Sequence, residues 1–139
     1  MAAIKGTNTK PELMIRKGLH ARGFRFRLHD RKLPGRPDIV LRRFNAVGFV
    51  NGCFWHGHNC SVFRWPKTRE SFWREKIGAT IERDRKAVEN LQDDGWRIAK
   101  VWECALKGKR RLLLPDVIDS LAIWLSSDTD RICIRGQPY

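Results

Sequence analysis

The stretch Ala46-Val47-Gly48-Phe49-Val50-Asn51-Gly52-Cys53-Phe54-Trp55-His56-Gly57-His58-Asn59-Cys60 decides how this chain folds. Its first five residues form a continuous apolar run, the pattern of a buried strand. That strand delivers the chain into Gly52–Cys60, which holds two thiols, two imidazoles and two adjacent large aromatics. Thiols and imidazoles so close together suit a zinc site. Cys53, His58 and Cys60 would supply three ligands, and Cys104 would return as the fourth. His56 in place of His58 is the alternative. A Cys3His set fits a closed, structural tetrahedral site. If His58 is the ligand, His56 is left for chemistry.

Upstream, Thr9-Lys10-Pro11-Glu12 reads as a helix start. Thr9 caps it, Pro11 fits the first turn, and Glu12 stands where a capping box places its carboxylate. The helix runs to about Arg22 and stops at Gly23, a residue suited to a left-handed C-terminus. Phe24-Arg25-Phe26-Arg27-Leu28 alternates, as a strand with one buried face does. A charged loop from His29 to Pro37 leads to a short apolar strand, Asp38-Ile39-Val40-Leu41, and a turn from Arg42 to Asn45. Downstream, residues 61–68 read as loop. Residues 69–93 carry a helical pattern, with Ile81, Val88 and Leu91 at helical spacing and Gly78 as a candidate break. Trp96 to Trp102 is a further strand. Pro115 to Leu125 is an amphipathic helix with Val117, Leu121, Trp124 and Leu125 on one side. Residues from Ser126 onward carry no clear pattern. This order predicts a single α/β domain over residues 1–139, with a mixed sheet flanked by helices.

With 28 Lys and Arg against 15 Asp and Glu, the 139-residue chain has a formal net charge of +13. That excess argues for a polyanionic partner bound with strong salt dependence. No apolar run approaches the roughly 18 residues of a transmembrane helix, and no signal peptide is visible. A soluble intracellular protein is therefore expected. In a reducing compartment the four cysteines are metal ligands or free thiols rather than disulfides, with Cys133 as a spare thiol. Nucleic acid fits the charge best, and exposed aromatics suit stacking on bases or wedging between them. Trp96, Trp102 and Trp124 fit core periodicity. Phe54, Trp55, Trp65 and Trp73 fit it less well, and Phe54 and Trp55 are not both expected in the core.

Pro34-Gly35-Arg36-Pro37-Asp38 places a carboxylate at the start of a buried strand, well placed for a hard cation such as Mg²⁺. A Pro-Asp pair before an apolar strand is a weak mark of metal-dependent nucleases, and Asp after Pro is also an ordinary turn residue. The usual companion, a carboxylate-x-Lys on the next strand, is missing. Phe49-Val50-Asn51-Gly52 stands in its place, so either Asp38 is structural or another group, such as His56, serves as the base. Asp84, within Glu82-Arg83-Asp84-Arg85, has the default reading of a solvated helix face.

Taken together, Thr9-Lys-Pro-Glu12-Leu, Pro-Gly-Arg36-Pro-Asp38, Asn-Gly-Cys53-Phe-Trp-His56-Gly-His58-x-Cys60, Glu82-Arg-Asp84-Arg and Trp102-Glu-Cys104-Ala-Leu resemble the very-short-patch-repair (Vsr) DNA mismatch endonucleases. The resemblance spans about residues 1–110. It implies a restriction-endonuclease-like α/β fold with a structural Zn²⁺. It also implies Mg²⁺-dependent nicking of one strand of duplex DNA beside a T:G mismatch left by deamination of 5-methylcytosine. By the same resemblance Asp38 and the Val50 carbonyl would hold Mg²⁺, His56 would be the general acid/base, Glu12 would support the water network, and Asp84 would be an acidic partner. Cys53, His58, Cys60 and Cys104 would hold Zn²⁺. Phe54, Trp55 and Trp73 would wedge into DNA, and Arg36 would hold a phosphate.

Two departures from the family pattern stand out. Asn51 occupies the place of a second active-site histidine that pairs with the Asp84 position, and an amide does not titrate near neutral pH. Family members also carry residues ahead of the position of Met1, and lack of that arm would weaken DNA binding more than chemistry. The expected setting is a bacterial cytoplasm at the nucleoid, with the protein acting as a monomer beside other mismatch-repair proteins. Two alternatives stand: a nuclease of the same fold with another DNA substrate, and a non-catalytic zinc-containing module that binds damaged DNA.

Overall fold

The computed structural model describes residues 9–54, 56–58, 60 and 63–137. Three helices, α1 (Lys10–Ala21), α2 (Glu70–Asp93) and α3 (Leu114–Leu125), surround a five-stranded sheet. The strands are β1 (Arg27–Leu28), β2 (Ile39–Leu41), β3 (Ala46–Asn51), β4 (Arg97–Trp102) and β5 (Arg131–Ile134), and their spatial order follows the chain. β1, β2 and β3 run antiparallel, whereas β3, β4 and β5 run parallel. The architecture is thus the mixed α/β sheet that the sequence predicts.

Strand side chains alternate between faces, and the two cores follow that alternation. Ile39, Leu41, Ala46, Ala99 and Val101 pack with Ile15 and Leu19 of α1 and with Val117, Ile118 and Leu121 of α3. Val40, Val47 and Ile98 turn the other way, onto Val88 and Leu91 of α2. A β-carbon at Gly18 would sit 2.5 Å from Ile118 Cδ1, so α1 and α3 meet closely there and a larger residue would force Ile118 to shift. Among the described residues no helix is long and apolar enough to cross a membrane.

Thr9 caps α1 as expected, its Oγ1 accepting the Glu12 N–H at 3.4 Å. Gly23, with φ at 91°, follows the end of the helix. Several elements differ from the sequence expectation. β1 is only two residues long, because its partner β2 is confined between Pro37, which has no N–H, and the 3₁₀ turn Arg42–Phe44. Phe24 and Phe26 still pack on the α1–α3 core from outside the ladder, but Arg27 and Leu28 are exposed. α2 runs without a break through Gly78. Ile81 is not core. It is 46% exposed and lies against the loop after β3. The unpatterned tail supplies β5, which adds to β4 in parallel.

Arg97 ties the start of β4 to its surroundings. Its guanidinium donates to the carbonyls of Thr129 (3.0 Å), Phe44 (3.2 Å), Leu125 (3.3 Å) and Trp124 (2.6 Å), and lies 4.4 Å from the Trp124 ring centroid. Arg97→Met keeps the stem and strands those carbonyls. It should cost about 2–3 kcal/mol of stability, read as a lower denaturant midpoint, and Arg97→Lys should recover only part of the loss.

Candidate active site and metal centres

The parallel register of β3 with β4 sets Asn51 beside Trp102. Two residues beyond each stand Cys53 and Cys104, so the two thiols arrive side by side at the ends of neighbouring strands. Both are buried, at 0% and 1% exposure. The chain then turns tightly, with His58 N–H donating to the Cys53 carbonyl at 2.9 Å and His56 N–H to the Gly52 carbonyl at 3.2 Å. Gly57 makes the turn possible. Its φ is 60°, and a β-carbon there would sit 2.8 Å from Ile77 and 2.7 Å from Ile81. The turn returns His58 to the thiols and lays its ring flat on Trp102, with centroids 4.0 Å apart and planes 6° apart.

Ligand atoms of Cys53, His58, Cys60 and Cys104 all lie within 4.8 Å of one another. Cys53 Sγ is 3.5 Å from His58 Nδ1, and Cys104 Sγ is 3.6 Å from the same nitrogen. Tetrahedral zinc with ordinary bond lengths sets sulfur and nitrogen about 3.6 Å apart. The four residues therefore fit a zinc ion. Burial pushes both the Cys53 and Cys104 thiols up, and lowers His58 to about 4 with help from Arg135. His58 is thus held neutral, the form that binds metal. Gly136 N–H also donates to Cys104 Sγ at 3.2 Å, so the segment after β5 closes over the cluster. Of the two imidazoles open at the sequence level, the structure brings His58 into this group and leaves His56 outside it.

His56, on the loop after β3, pairs instead with a residue of α2. Its Nδ1 lies 2.5 Å from Asp84 Oδ2, so Nε2 is the ring nitrogen left outside this contact. Asp84 is therefore not on a solvated charged face. The pair lines a cleft of about 370 Å³ together with Lys100 and Trp102. Asn51, 5% exposed, lines a smaller space with Asp84 and Lys100. Lys100 had no sequence signal. It sits on β4, paired with Phe49, so a lysine reaches this face from the neighbouring strand rather than from β3 itself.

The second centre lies on the α1 side of the sheet. Glu12, Ile15 and Leu19 share one stripe of α1, and Glu12 is 1% exposed. Its carboxylate does not complete the capping box. Instead Oε2 lies 2.6 Å from His29 Nε2 and 3.6 Å from Arg16. Asp38 enters from the start of β2, and its Oδ2 accepts the Val50 N–H at 2.7 Å. Residues facing a ladder turn their N–H and C=O to the same edge, so the Val50 carbonyl is aimed to that side too. Burial pushes Asp38 up to about 7, offset by the Val50 N–H and reinforced by Glu12. One ligand atom each from Glu12, His29 and Asp38 lie within 4.8 Å of one another, a grouping able to hold a cation. His29 stands in a charged loop and no pattern marked it.

Phe54 packs on Phe63 (centroids 5.9 Å apart, 23°) and on the edge of Trp73 (5.4 Å, 66°). Trp73 is carried by the first turn of α2. Arg69 and Arg74 lie over Phe72 and Trp65 at 4.3 and 4.2 Å, so the aromatic group is edged with cations. Arg36 is exposed, with φ at 47°. Trp55 lies outside the described residues.

Asp38 gives a sign for pH dependence. Its pKa is raised from 3.8 to about 7, so ionising it opposes folding. That cost is absent below the ordinary value, grows as pH rises, and is complete above the raised one. In buffer free of added divalent ions, Asp38→Asn should melt higher than the parent protein at pH 8. The gap should narrow towards pH 5, and thermal denaturation followed by circular dichroism would reveal an opposite trend.

The family described as "DNA mismatch endonuclease Vsr" matches residues 1–62. The chain is 43% identical to the DNA mismatch endonuclease Vsr of Escherichia coli (strain K12), over 92% of this chain and 82% of that protein. It is 44% identical to the type II nicking enzyme V.XorIIP of Xanthomonas oryzae pv. oryzae, over 86% of this chain and 89% of the relative. With V.NmeAIP of Neisseria meningitidis serogroup A, another type II nicking enzyme, identity is 45% over 78% of each chain. A restriction-endonuclease-like α/β sheet, a cysteine–histidine cluster that fits zinc, and identity at this level over most of the chain lead to one conclusion: the chain belongs to the Vsr family of DNA endonucleases.

Proposed function

We propose that this protein nicks one strand of duplex DNA beside a T:G mismatch by Mg²⁺-dependent hydrolysis of a phosphodiester. The observation that carries the reading is Asp38, held by the Val50 N–H next to buried Glu12, with His56, the partner of Asp84, on the loop that follows Val50's strand, β3. The printed names of the relatives, a mismatch endonuclease and nicking enzymes, support it.

Asp38 and the Val50 carbonyl would hold Mg²⁺, with Glu12 ordering water beside it. When bound, the ion would polarise water and offset the charge that develops on the phosphate oxygens. His56 Nε2 takes the proton of the attacking water or returns one to the leaving oxygen as the P–O bond breaks. Asp84 holds the ring in the tautomer that leaves Nε2 free, and it stabilises the imidazolium. This gives Asp84 a task that does not depend on residue 51. Asn51 then serves as a hydrogen-bonding residue rather than a second base.

Recognition is separate from this chemistry. Phe54, Trp55 and Trp73 would wedge into the stack, at about a few kcal/mol per unstacked step. A mismatched pair is cheaper to distort than a matched one. Arg36 would hold a backbone phosphate, and the net charge of +13 would draw the duplex in. The Cys53–His58–Cys60–Cys104 cluster would hold Zn²⁺ as a structural ion, fixing the loop that carries Phe54 and His56.

An assay on end-labelled duplexes, one with a T:G mismatch and one fully matched, should give a nick only with the mismatch and only with Mg²⁺. Equal cleavage of both would point to another DNA substrate, and binding without cleavage to a damage-binding module. Asp38→Ala should abolish the nick, and His56→Ala should slow it by roughly 10²–10⁴-fold while DNA affinity is kept. Metal analysis of the purified protein should find about one zinc per chain. Cys104→Ser should lower both the zinc content and the melting temperature.

A further inference from the structure

We propose that His29 joins Glu12 and Asp38 as a metal ligand, and that this site therefore favours a transition ion such as Mn²⁺ over Mg²⁺. The inference rests on the reading of Asp38 as a metal-holding residue and goes beyond it in naming a nitrogen ligand and the ion it selects.

His29 Nε2 and one oxygen from each of Glu12 and Asp38 lie within 4.8 Å of one another. Adjacent ligands on a six-coordinate ion stand about 3 Å apart and opposite ones about 4.2 Å, so side-chain adjustment alone would close the three around an ion. The ring nitrogen already points inward, 2.6 Å from Glu12 Oε2. Glu12 is 1% exposed and the His29 side chain 23%, so the donors are largely withdrawn from water.

The backbone fixes the arrangement. Leu28 pairs with Ile39, and the next residue, His29, donates its N–H to the Asp38 carbonyl at 3.2 Å. His29 holds φ at 47°, a left-handed conformation uncommon outside glycine, and this aims the ring back across the sheet edge at α1. The three donors thus come from α1, the turn after β1 and the start of β2, and the fold brings them to one point.

Charge is short there. Two carboxylates face each other, and among the described residues Glu12 has Arg16, at 3.6 Å, as its paired cation besides the imidazole. A divalent ion would supply the missing charge. Mg²⁺ favours oxygen donors and sheds water reluctantly, whereas an imidazole suits the later divalent metals. One nitrogen among oxygen donors therefore moves the preference towards Mn²⁺ and its neighbours.

The binding measurements use the full zinc-loaded chain without DNA, and nicking is assayed separately on the same proteins. Titration with Mn²⁺, free ion being read by electron paramagnetic resonance, gives its affinity, and competition gives that of Mg²⁺. Spin-echo spectra of the bound Mn²⁺ report any directly coupled nitrogen. Mn²⁺ should bind more tightly than Mg²⁺ and show nitrogen coupling. His29→Gln keeps an amide for Glu12. It should lose the coupling and roughly tenfold or more of Mn²⁺ affinity, while Mg²⁺ affinity moves far less. Absent nitrogen coupling, or an unchanged Mn²⁺ affinity in His29→Gln, would overturn the proposal and leave His29 as the hydrogen-bond partner of Glu12 alone. Nitrogen-ligated Mn²⁺ in a protein that cleaves no DNA would support the site and remove the nuclease reading. Mg²⁺-dependent nicking equal in both proteins, with no nitrogen coupling, would do the reverse.

Discussion

The parallel pairing of β3 with β4 is the constraint on which the rest of the molecule depends. It sets Asn51 against Trp102, so the two strands end level and Cys53 and Cys104 emerge as neighbours. A slip by one residue would turn every side chain of a strand to the opposite face. It would separate the thiols, and it would take Val47 and Ile98 off α2. The same register stations Lys100 beside Phe49 on the cleft side and leaves the end of β3 projecting past β2. There the Val50 N–H meets Asp38.

Helix α2 is what makes this strand end a site. As the crossover between two parallel strands it has to traverse one face of the sheet, and in doing so it passes the loop after β3. Ile77 and Ile81 close against Gly57, Asp84 takes the His56 ring, and Trp73 meets Phe54. Each of these contacts joins residues far apart in sequence. On the opposite face α1 presents Glu12 from the same buried stripe as Ile15 and Leu19. Two groups of polar residues therefore flank the end of β3, the imidazole–carboxylate pair on the α2 side and the two carboxylates with His29 on the α1 side.

Much of this was legible along the chain because it is local. The Thr9 cap, the Gly23 stop, the apolar strand before Gly52 and the clustering of Cys53, His58 and Cys60 all lie within short windows, where spacing carries the information. Helical spacing marks a face without saying what covers it, and at Ile81 the cover is a loop. Asp84 resembled its charged neighbours, and only the approach of His56 distinguishes it. β5 escaped notice because a short edge strand is defined by the partner it pairs with. His29 and Lys100 are ordinary charged-segment residues until the sheet brings them to Asp38 and Asp84.

By itself, the sequence determined most of the element types, the net basic charge and the chemistry of the donor set, since these depend on composition and on periods of two and of about 3.6 residues. It also left two imidazoles open as metal ligands. The tertiary structure separates them: the turn at Gly57 returns His58 to the thiols, while Asp84 holds His56 away. It likewise placed Cys104 with Cys53, and His29 with Glu12 and Asp38. Such choices rest on strand register and on the path of a crossover helix, and both are set by packing the two sides of one sheet together.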